Sequence, residues 1–417
     1  MAATHPPIRV GVVGIGRGRT FMNAAHLGFQ LVAVCDTWEE KLREESKRWG
    51  VTAYTDYERF LEHDMDAVVL ANYFHEHAPF AVKAFAAVKH VMSECAACHT
   101  PAEGVALARA FEKAHDRIYM FAENYPFMAH NQEMRRLYET GDWGEFKYGE
   151  AEYVHPDPAG VKNSRSCGVN HWRNWLPWGI YYCTHALGPV MYVTDTRPVK
   201  VNGFVVPYDY TDASHIMGAR RTDIAGILMC RMDNGAVAKI LQGALRGHGN
   251  YTRIHCQRGL MESCRHGGGG RLRLWREPWE KPEGVPTETV YAPDFPQHHR
   301  EATAAGHGGG DFFTLFHFAE AIRTGRQPWM NLYRGLDMSL AGVFAWRSVL
   351  ADSAPFEIPD FRQEAVRRQF EQDHYTPNPL APEPYRQPCS ILGDIQPTPA
   401  GLAQARQDWA AVGYHGE

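Results

Sequence analysis

His185 follows a stretch of sequence that is dense in aromatic side chains, including Trp172 and Tyr182. An imidazole has a pKa of about 6.5 and can both take and return a proton at neutral pH. Aromatic faces stack on the apolar faces of pyranose rings, and a guanidinium such as that of Arg173 can bind hydroxyl groups. The segment is therefore a candidate site for proton transfer on a sugar. A core histidine that is hydrogen-bonded to a backbone carbonyl would give the same local sequence.

Three residues outside this segment can take part in the same chemistry. Tyr125 and Tyr251 are candidate acids or groups that orient a hydroxyl, although buried tyrosines are also common in cores. His307 opens a glycine-rich turn, which suits a loop that faces a ligand. The chain contains no HExxH, no paired CxxC motifs and no GxSxG, so the sequence predicts neither a metal centre nor a serine nucleophile.

A glycine-rich turn follows the first apolar run of the chain. Gly14 can form the tight turn, and Gly16 lets the backbone approach a pyrophosphate at the start of the next helix. A second apolar run ends in Asp36, whose carboxylate can accept hydrogen bonds from ribose hydroxyls and repel a 2′-phosphate. This pattern favours NAD over NADP. Arg19 occupies the place of the third glycine of the usual motif, and a glycine-rich turn without a ligand is the alternative.

The run from Cys95 to His99 has the CxxCH spacing of a c-type haem attachment site. It comes at the end of a predicted buried strand, and the chain opens without a secretion signal. We therefore expect Cys95 to face a nucleotide and Cys98 to be a packing residue.

The elements that must position these residues fall into two groups. Over roughly the first 120 residues, short apolar strands alternate with helical patterns, which is typical of βαβ units and a parallel sheet. After Gly144 longer strand-like segments predominate, which predicts one open, mainly antiparallel sheet. The expected strands are Arg9–Ile15, Leu31–Asp36, Ala67–Asn72, His90–Glu94, Ile118–Glu123, Glu145–His155, Lys200–Pro207, Ile224–Leu245, Tyr251–Glu262 and Leu272–Trp275, and the expected helices are Trp38–Trp49, His77–Ala87, Pro101–His115, Phe312–Thr324 and Tyr333–Leu350.

The sequence therefore predicts an α/β protein with three parts. These are an N-terminal Rossmann dinucleotide-binding domain (residues 1–122), a C-terminal α/β domain with a large open sheet (residues 123–372), and a proline-rich arm (residues 373–417). Residues Arg265–Arg271, with four consecutive glycines, are expected to form a hairpin tip.

Composition narrows the function classes. The 417 residues carry 43 Lys and Arg against 48 Asp and Glu, a formal charge of −5, and no basic run, so we expect neither nucleic-acid nor membrane partners. No apolar run approaches the ~18 residues that a membrane-spanning helix needs. Nine cysteines are too few for a disulfide scaffold, so we expect reduced thiols in a cytoplasmic protein.

Several motifs together resemble the Gfo/Idh/MocA family of sugar oxidoreductases, and within it the NAD-dependent glycosidases of glycoside hydrolase family 109. The resemblance spans roughly residues 8–365, and its most specific parts are the THALGP block around His185 and the GHGG block around His307. The other segments are VGVVGIGRGR with VAVCD, DAVVLANYFHEHAP, VKHVMSECAA, AENYPF, NYTRIH and IPDF.

The resemblance implies roles for particular residues. It implies an NAD cofactor held by Gly14, Ile15, Gly16, Arg17, Asp36, Asn72, His77, Glu94, Cys95 and Asn124. It implies a carbohydrate or glycoside substrate bound by Trp172, Arg173, Tyr182, Thr184 and His307. His185 and Tyr125 would then transfer protons and Tyr251 would hold the substrate. A homo-oligomer formed through the open sheet is also expected.

One departure from the family bears on the reaction. Ordinary dehydrogenases of the family carry Glu-Lys-Pro after the fifth strand, whereas this chain has Glu94, Cys95 and Ala96. The glycosidase branch also lacks the lysine, which favours its route: transient oxidation of the sugar at C3, loss of the C2 proton, elimination of the C1 substituent, hydration and re-reduction. A sugar or polyol dehydrogenase, a 3-keto-sugar enzyme and a catalytically inactive binding protein remain the alternatives.

Overall fold

A computed structural model describes residues 5–265 and 270–416, so the predicted hairpin tip lies mostly outside the described residues. The chain divides into two compact units, each discontinuous in sequence. The first consists of Met1–Gln132, Asp294–Ser339 and Asp360–Gln372, and the second of Glu133–Pro293, Leu340–Pro359 and Asp373–Glu417. These units are not sequence domains, so the boundaries expected after residues 122 and 372 stay a prediction.

The first unit is built on a six-stranded parallel sheet. The strand order is β3-β2-β1-β4-β5-β6, the doubly wound order in which a ligand binds at the carboxyl ends of the strands. This confirms the predicted Rossmann fold. The strands are β1 (Ile8–Val13), β2 (Phe29–Cys35), β3 (Thr52–Tyr54), β4 (Ala67–Leu70), β5 (His90–Ser93) and β6 (Tyr119–Phe121). The sequence missed β3, which is short and has no buried residue.

Helices fill the connections between these strands. The helix Pro101–Lys113, α5, begins where its sequence predicts a helix start: the Thr100 hydroxyl accepts a hydrogen bond from the Glu103 N–H, and Pro101 occupies the first turn. The helices up to the second sheet are α1 (Ile15–Met22), α2 (Glu39–Trp49), α3 (Tyr57–Leu61), α4 (His77–Ala86), α5 (Pro101–Lys113) and α6 (Ala129–Glu139).

Two segments from late in the chain complete the first unit. In the segment Asp294–Ser339, the Met330 carbonyl accepts a hydrogen bond from the Phe121 N–H at 2.8 Å, so this segment covers the edge of the sheet at β6. Arg367 binds both carboxylate oxygens of Glu112, at 2.6 and 2.7 Å, which ties residues 360–372 to α5. These long-range contacts explain why the unit is discontinuous in sequence.

The second unit contains a nine-stranded open sheet in the order β14-β13-β12-β11-β7-β10-β9-β8-β15. Only the pairing of β7 with β10 is parallel, so the sheet is mainly antiparallel, as predicted. The strands are β7 (Phe146–Val154), β8 (Pro198–Val206), β9 (Ala225–Met232), β10 (Val237–Gly243), β11 (Gly249–Cys256), β12 (Gly259–Ser263), β13 (Leu272–Trp275), β14 (Glu288–Tyr291) and β15 (Phe356–Glu357).

Two of the expected long strands are hairpins instead. Residues 224–245 form β9 and β10, which are separated by a turn in which Gly235 has a φ of +85°. Residues 251–262 form parts of β11 and β12, and Gly259 follows that turn with a φ of +153°. Positive φ is a conformation that glycine adopts without steric cost, and it turns the chain back on itself.

The remaining helices, in chain order, are α7 (Ala159–Ser164), α8 (Trp172–Trp175), α9 (Trp178–Tyr181), α10 (Thr184–Thr194), α11 (Ala213–Ile216), α12 (His299–Thr303), α13 (Gly310–Thr324), α14 (Leu332–Leu350), α15 (Glu364–Arg367) and α16 (Pro399–Ala411). Helix α10 packs closely on β7, because a Cβ added at Gly149 would lie 3.1 Å from Val190 Cγ1. Among the described residues, no helix combines the length and apolar character needed to cross a membrane.

Candidate functional site

The turn between β1 and α1 has the shape of a phosphate-binding loop. Gly14 has a φ of +81°, and a Cβ there would lie 2.4 Å from the Ala71 carbonyl oxygen, so only glycine fits. A Cβ at Gly16 would meet nothing within 4 Å, so the backbone is open to a ligand on that side. A Cβ at Gly18 would lie 2.6 Å from Val12 Cγ1, which gives Gly18 the helix-packing role of the third glycine.

Asp36 closes this loop from the end of β2. One carboxylate oxygen accepts the Ile15 N–H and the other accepts the Trp38 N–H, each at 2.8 Å. Each carboxylate oxygen has two lone pairs and so can accept a further hydrogen bond. The position of Asp36 therefore suits both the stiffening of the turn and the binding of ribose hydroxyls.

Two side-chain amides, one after β4 and one after β6, carry oxygen atoms that could accept hydrogen bonds from a ligand. The Asn72 amide donates to Glu76 at 3.0 Å, and the Asn124 amide donates to Asp311 at 2.8 Å. The carbonyl oxygen of each side chain is buried without a hydrogen-bond partner. Buried acceptors are rarely left unpaired, so these two are candidates to bind a ligand or an ordered water.

Arg17 ties the start of α1 to two other parts of the first unit. Its guanidinium binds Glu94 at 2.7 Å and Asp311 at 2.8 Å. Burial alone would lower the pKa of Arg17, but these two carboxylates raise it above its usual range. The sequence analysis missed Asp311. Its position four residues after His307, at the start of α13, could have indicated that the two side chains are neighbours.

Asp311 also organises the glycine-rich turn before α13. The His307 Nδ1 lies 2.7 Å from its carboxylate. Burial raises the pKa of Asp311, but the hydrogen bonds from His307 and Arg17 outweigh this and lower it well below its usual value. Gly310 allows close contact here, because a Cβ there would lie 2.3 Å from the Asn124 carbonyl oxygen.

Cys95, which follows β5, faces a carboxylate. Its thiol donates to Glu123 at 3.2 Å, and Glu123 is fully buried and also accepts the Tyr125 N–H at 3.2 Å. His77 is also buried. Its Nδ1 lies 3.1 Å from the carbonyl oxygen of Ala96, the residue after Cys95, and burial lowers the pKa of His77. Tyr125 is buried, with its ring centre 6.4 Å from that of His307.

The second unit carries the aromatic segment around His185. The imidazole is buried in α10, and its ring centre lies 4.8 Å from those of Tyr153 and Tyr182, both edge-on. Tyr182 stacks on Trp178 at 6.1 Å. We call these four residues, Tyr153, Trp178, Tyr182 and His185, the aromatic cluster. Trp178 belongs to the aromatic segment that the sequence analysis identified, whereas Tyr153, which lies on β7, was missed.

The other expected substrate residues of this unit lie around the cluster. Trp172 lies 6.2 Å from Tyr182, and the Arg173 guanidinium lies over the Trp172 ring at 4.3 Å. Thr184 is fully buried and its hydroxyl has no hydrogen-bond partner. The expected substrate residues therefore divide between the units, since His307 belongs to the first.

The structure does not bring Tyr251 to His185. Tyr153 is paired with Asn250 across β7 and β11, so it shares a face of the sheet with Asn250, whereas Tyr251 points to the opposite face. There the Tyr251 hydroxyl donates to Glu262, and the Arg265 guanidinium lies over its ring at 3.9 Å. Burial and the Glu262 carboxylate raise the pKa of Tyr251.

The face that carries Tyr251 is a ladder of paired charges. Glu150 binds Lys239 at 2.5 Å and Arg253 at 3.3 Å, and Glu262 binds Arg253 and Arg273, each at 2.7 Å. We call this set, with Glu288 as the next partner of Arg273, the charge ladder. Its groups satisfy one another, which is typical of a structural network.

Comparisons with known proteins match both parts of the chain. Residues 8–122 match the oxidoreductase family, NAD-binding Rossmann fold, and residues 276–367 match the glycosyl hydrolase 109 C-terminal domain. The resemblance to these families is confirmed. It also confirms the predicted NAD cofactor and the predicted enzyme class, an NAD-dependent glycosidase or oxidoreductase that acts on carbohydrates, because one match describes an NAD-binding domain and the other a glycosyl hydrolase domain.

Individual relatives are more distant. A glycosyl hydrolase family 109 protein of Saccharopolyspora erythraea is 24% identical over 393 residues, covering 86% of this chain and 84% of the relative. An alpha-N-acetylgalactosaminidase of Shewanella oneidensis is 23% identical over 413 residues, covering 86% of both chains.

Solved structures support the fold. A levoglucosan dehydrogenase in complex with NADH and levoglucosan has a TM-score of 0.69 at 18% identity, covering 85% of this chain and all of that one. An aldose-aldose oxidoreductase of Caulobacter crescentus has a TM-score of 0.65 at 21% identity, covering 84% of this chain and 99% of that one. At these identities the likeness concerns the fold alone.

Proposed function

We propose that the protein is an NAD-dependent glycosidase that oxidises a sugar transiently at C3, eliminates the C1 substituent, adds water and reduces the sugar again. The observation that carries the proposal is the presence, on one chain, of an oxidoreductase family's NAD-binding domain and a glycosyl hydrolase 109 domain. A glycosidase that works by direct displacement uses a pair of carboxylates and has no use for a dinucleotide.

The first unit would hold the cofactor. Gly14 and Gly16 would admit the pyrophosphate, Asp36 would bind the ribose, and the free amide oxygens of Asn72 and Asn124 would accept further hydrogen bonds. Ile15, Arg17, His77, Glu94 and Cys95 complete the proposed cofactor set. When bound, NAD supplies a hydride acceptor that is regenerated at the end of each cycle.

The proton transfers fall to residues of the chain itself. A ketone at C3 makes the neighbouring C2 proton acidic, so one base of modest strength can remove it. We assign this step to His185, whose ring contacts those of Tyr153 and Tyr182 edge-on. Tyr125 is the proposed partner for the departing or returning oxygen, and Trp172, Arg173, Tyr182, Thr184 and His307 are proposed to bind the sugar. Tyr251, which is bonded to Glu262, is left out of this assignment.

Turnover in D₂O tests the mechanism. The substrates are aryl N-acetyl-α-galactosaminides, chosen for the named relative, and aryl glucuronides. We expect deuterium at C2 of the released sugar, because that carbon loses and regains a proton, with no net reduction of NAD. Released sugar that keeps its C2 protium would exclude the elimination route.

A second candidate function is an NAD-dependent sugar or polyol dehydrogenase, or a 3-keto-sugar enzyme. The solved structures favour it, since the levoglucosan dehydrogenase shares the fold across its whole length. Such an enzyme would convert NAD to NADH stoichiometrically and leave an aryl glycoside uncut, so the absorbance of NADH and the release of the aryl group separate the two functions.

We also propose that the chain forms a homo-oligomer through the open sheet and works in the cytoplasm. Val290 and Trp279 are exposed near the β14 edge of the sheet, and none of the nine cysteines forms a disulfide within the described residues. Light scattering of the purified protein tests the first point, and cell fractionation tests the second. A monomer at micromolar concentration would contradict the oligomer.

A further inference from the structure

Two buried or half-buried cations of the second unit have no carboxylate partner. Lys162 lies on α7, and Arg220 follows α11. Among the described residues, no carboxylate oxygen lies within 4.0 Å of either side chain. The carboxylates that act on them from further away, Asp157 and Asp212, bind Arg165 and Arg246 instead, at 2.9 and 2.7 Å.

Both cations line a narrow cavity within the second unit. The Lys162 ammonium donates only to the Ser214 carbonyl oxygen, at 3.3 Å. Two other side chains of the lining have polar atoms that are buried without a hydrogen bond: the hydroxyl of Thr222 and both ring nitrogens of His215, whose Nδ1 lies 3.8 Å from an Asp212 carboxylate oxygen. The cavity therefore contains unused hydrogen-bond donors as well as unpaired positive charge.

The burial of the two cations lowers their pKa values and destabilises the folded protein. Burial, with a contribution from Arg220, lowers the pKa of Lys162 to about 8. Burial also lowers the pKa of Arg220 to about 10, and the neighbouring Arg173 adds to this effect. Positive charges that are buried and close together destabilise a protein unless something negative accompanies them.

Residues near the C-terminus contact both segments that carry these cations, helix α7 and the stretch after α11. Next to Lys162, the Asn163 amide donates to Asp408 at 2.7 Å, and the Trp409 indole N–H donates to the Asn163 carbonyl at 3.1 Å. Near Arg220, Asp223 accepts hydrogen bonds from Ser390 at 2.7 Å and from the Ile391 N–H at 2.9 Å. The cavity is thus built by contacts from distant parts of the chain.

A line of aromatic rings connects this cavity with His185. The Arg220 guanidinium lies 5.8 Å from the Trp178 ring, which stacks on Tyr182 at 6.1 Å. Tyr182 in turn lies 4.8 Å from His185. Arg220 is therefore the point at which the cavity, whose lining also includes Asp223, comes near the aromatic cluster.

We propose that Lys162 and Arg220 bind an oxyanion, a carboxylate, phosphate or sulfate group, that is carried by the carbohydrate substrate. A guanidinium can bind such a group through two parallel hydrogen bonds, and the ammonium adds a second charge. The role of the carbohydrate rests on the proposed function, whereas the binding of an oxyanion does not.

Calorimetric titration of the full-length protein, with its NAD, tests the proposal. The ligands are glucuronate, glucose 6-phosphate, glucose, inorganic phosphate and inorganic sulfate. Hydrogen bonds to charged groups contribute enough to tighten binding by about tenfold or more. We therefore expect glucuronate or glucose 6-phosphate to bind at least about tenfold more tightly than glucose, and added salt to weaken that difference.

Three variants and a matched control define the site. Lys162→Met and Arg220→Met should remove the preference for the anionic sugar, and Arg220→Lys should keep part of it. Lys147→Met is the control, because it removes the same charge from an exposed residue that is paired with Glu145 and should keep the full preference. Unfolding midpoints show whether each variant is folded.

The outcomes are distinct. A preference for anionic sugars that both methionine variants remove supports the proposal. Equal binding of glucose and the anionic sugars, or a preference that survives in both variants, overturns it. Inorganic phosphate or sulfate that binds as tightly as the anionic sugars makes this a site for free anions and overturns the substrate assignment. Cleavage of neutral glycosides with C2 deuteration but without anion binding would support the proposed function and overturn the anion site. Binding of anionic sugars without any cleavage of glycosides would support the anion site and overturn the proposed function.

Discussion

The charge ladder and the cavity around Lys162 belong to the same unit but differ in how their charged side chains are paired. On the ladder, Glu150 and Glu262 each bind two cations. At the cavity, Lys162 and Arg220 have no carboxylate partner within 4.0 Å among the described residues. Paired charges hold strands together, whereas unpaired buried charges cost stability. The difference favours a structural role for the ladder and supports the proposed anion site at the cavity.

The aromatic cluster extends this contrast. It shares the sheet with the ladder, because β7 sends Tyr153 to one face and Glu150 to the other. The ladder side of β7 meets arginine and lysine side chains, and the other side meets aromatic rings. We expect substitutions on the aromatic side to change catalysis and substitutions on the ladder side to change stability.

The largest expected effect is that of His185→Asn. This substitution should lower the rate of glycoside cleavage by about 10²–10⁴-fold, because it removes the proposed proton-transfer group. NAD retained after purification, measured in the supernatant of the denatured protein, should be unchanged, since the proposed cofactor residues belong to the first unit. A loss of less than about tenfold would make His185 a packing residue.

The next effect concerns Lys162 and has an alkaline pH dependence. The pKa of Lys162 is about 8 in the folded protein, below the value of about 10.5 for an exposed lysine, so the unfolded chain binds more protons between these values. The free energy of unfolding should therefore rise with pH from about 8 to 10.5, by up to about 3 kcal/mol. The charged groups that act on Lys162 are Arg220, Arg246, His215, Asp157 and Asp212.

Urea denaturation at several pH values checks this contribution. Lys162→Met should flatten the wild-type curve above pH 8, while the control Lys147→Met should leave its shape unchanged. A saturating anionic ligand should shift the rise to higher pH, because a bound anion stabilises the ammonium form. The same slope in wild type and Lys162→Met would contradict a desolvated, unpaired lysine.

The ladder should respond to acid instead. Burial raises the pKa of Glu262, but hydrogen bonds from Tyr251, Arg273 and Arg253 outweigh this and lower it. Its contribution to stability is therefore fully present above the unfolded pKa and is lost as the pH falls through the folded value. Glu262→Gln should destabilise the protein at neutral pH by about 1–3 kcal/mol, because it removes the charge that Arg253 and Arg273 share.

Denaturation of Glu262→Gln at pH 7 and at pH 4 measures this effect. The difference from wild type should shrink at the lower pH, and cleavage by the folded protein should change little. If Glu262→Gln loses activity while keeping its stability, the charge ladder takes part in catalysis, and the structural assignment is wrong.

The sequence predicted some of these features and missed others for physical reasons. The turn at Gly14 and the acid at Asp36 belong to a local motif, and the structure places them as that motif requires. Asp311 joins Arg17 across 294 residues, which no local pattern reveals. The parallel sheet and the open sheet follow from hydrophobic alternation, and both are confirmed.

The face on which Tyr251 lies could not be predicted in the same way. A shift of one residue in the pairing of β7 and β11 would move every side chain of β11 to the other face. The expected strand at 251–262 is in fact two strands, so its register depends on the turn before Gly259. His185 and Tyr251 were expected to serve one substrate, but the observed register separates them.

The smallest expected effect follows from that separation. Tyr251→Phe removes one hydrogen bond to Glu262 and keeps the ring under Arg265, so it should destabilise the protein by only about 1 kcal/mol. The rate of glycoside cleavage by the folded variant should fall by less than about threefold, in contrast to the loss expected for a group that acts on the substrate. Tyr182→Phe is the matched control from the aromatic cluster, because it removes the same hydroxyl beside His185. A larger loss of activity in Tyr251→Phe than in Tyr182→Phe, with stability unchanged, would return Tyr251 to the site and break the division between the two faces.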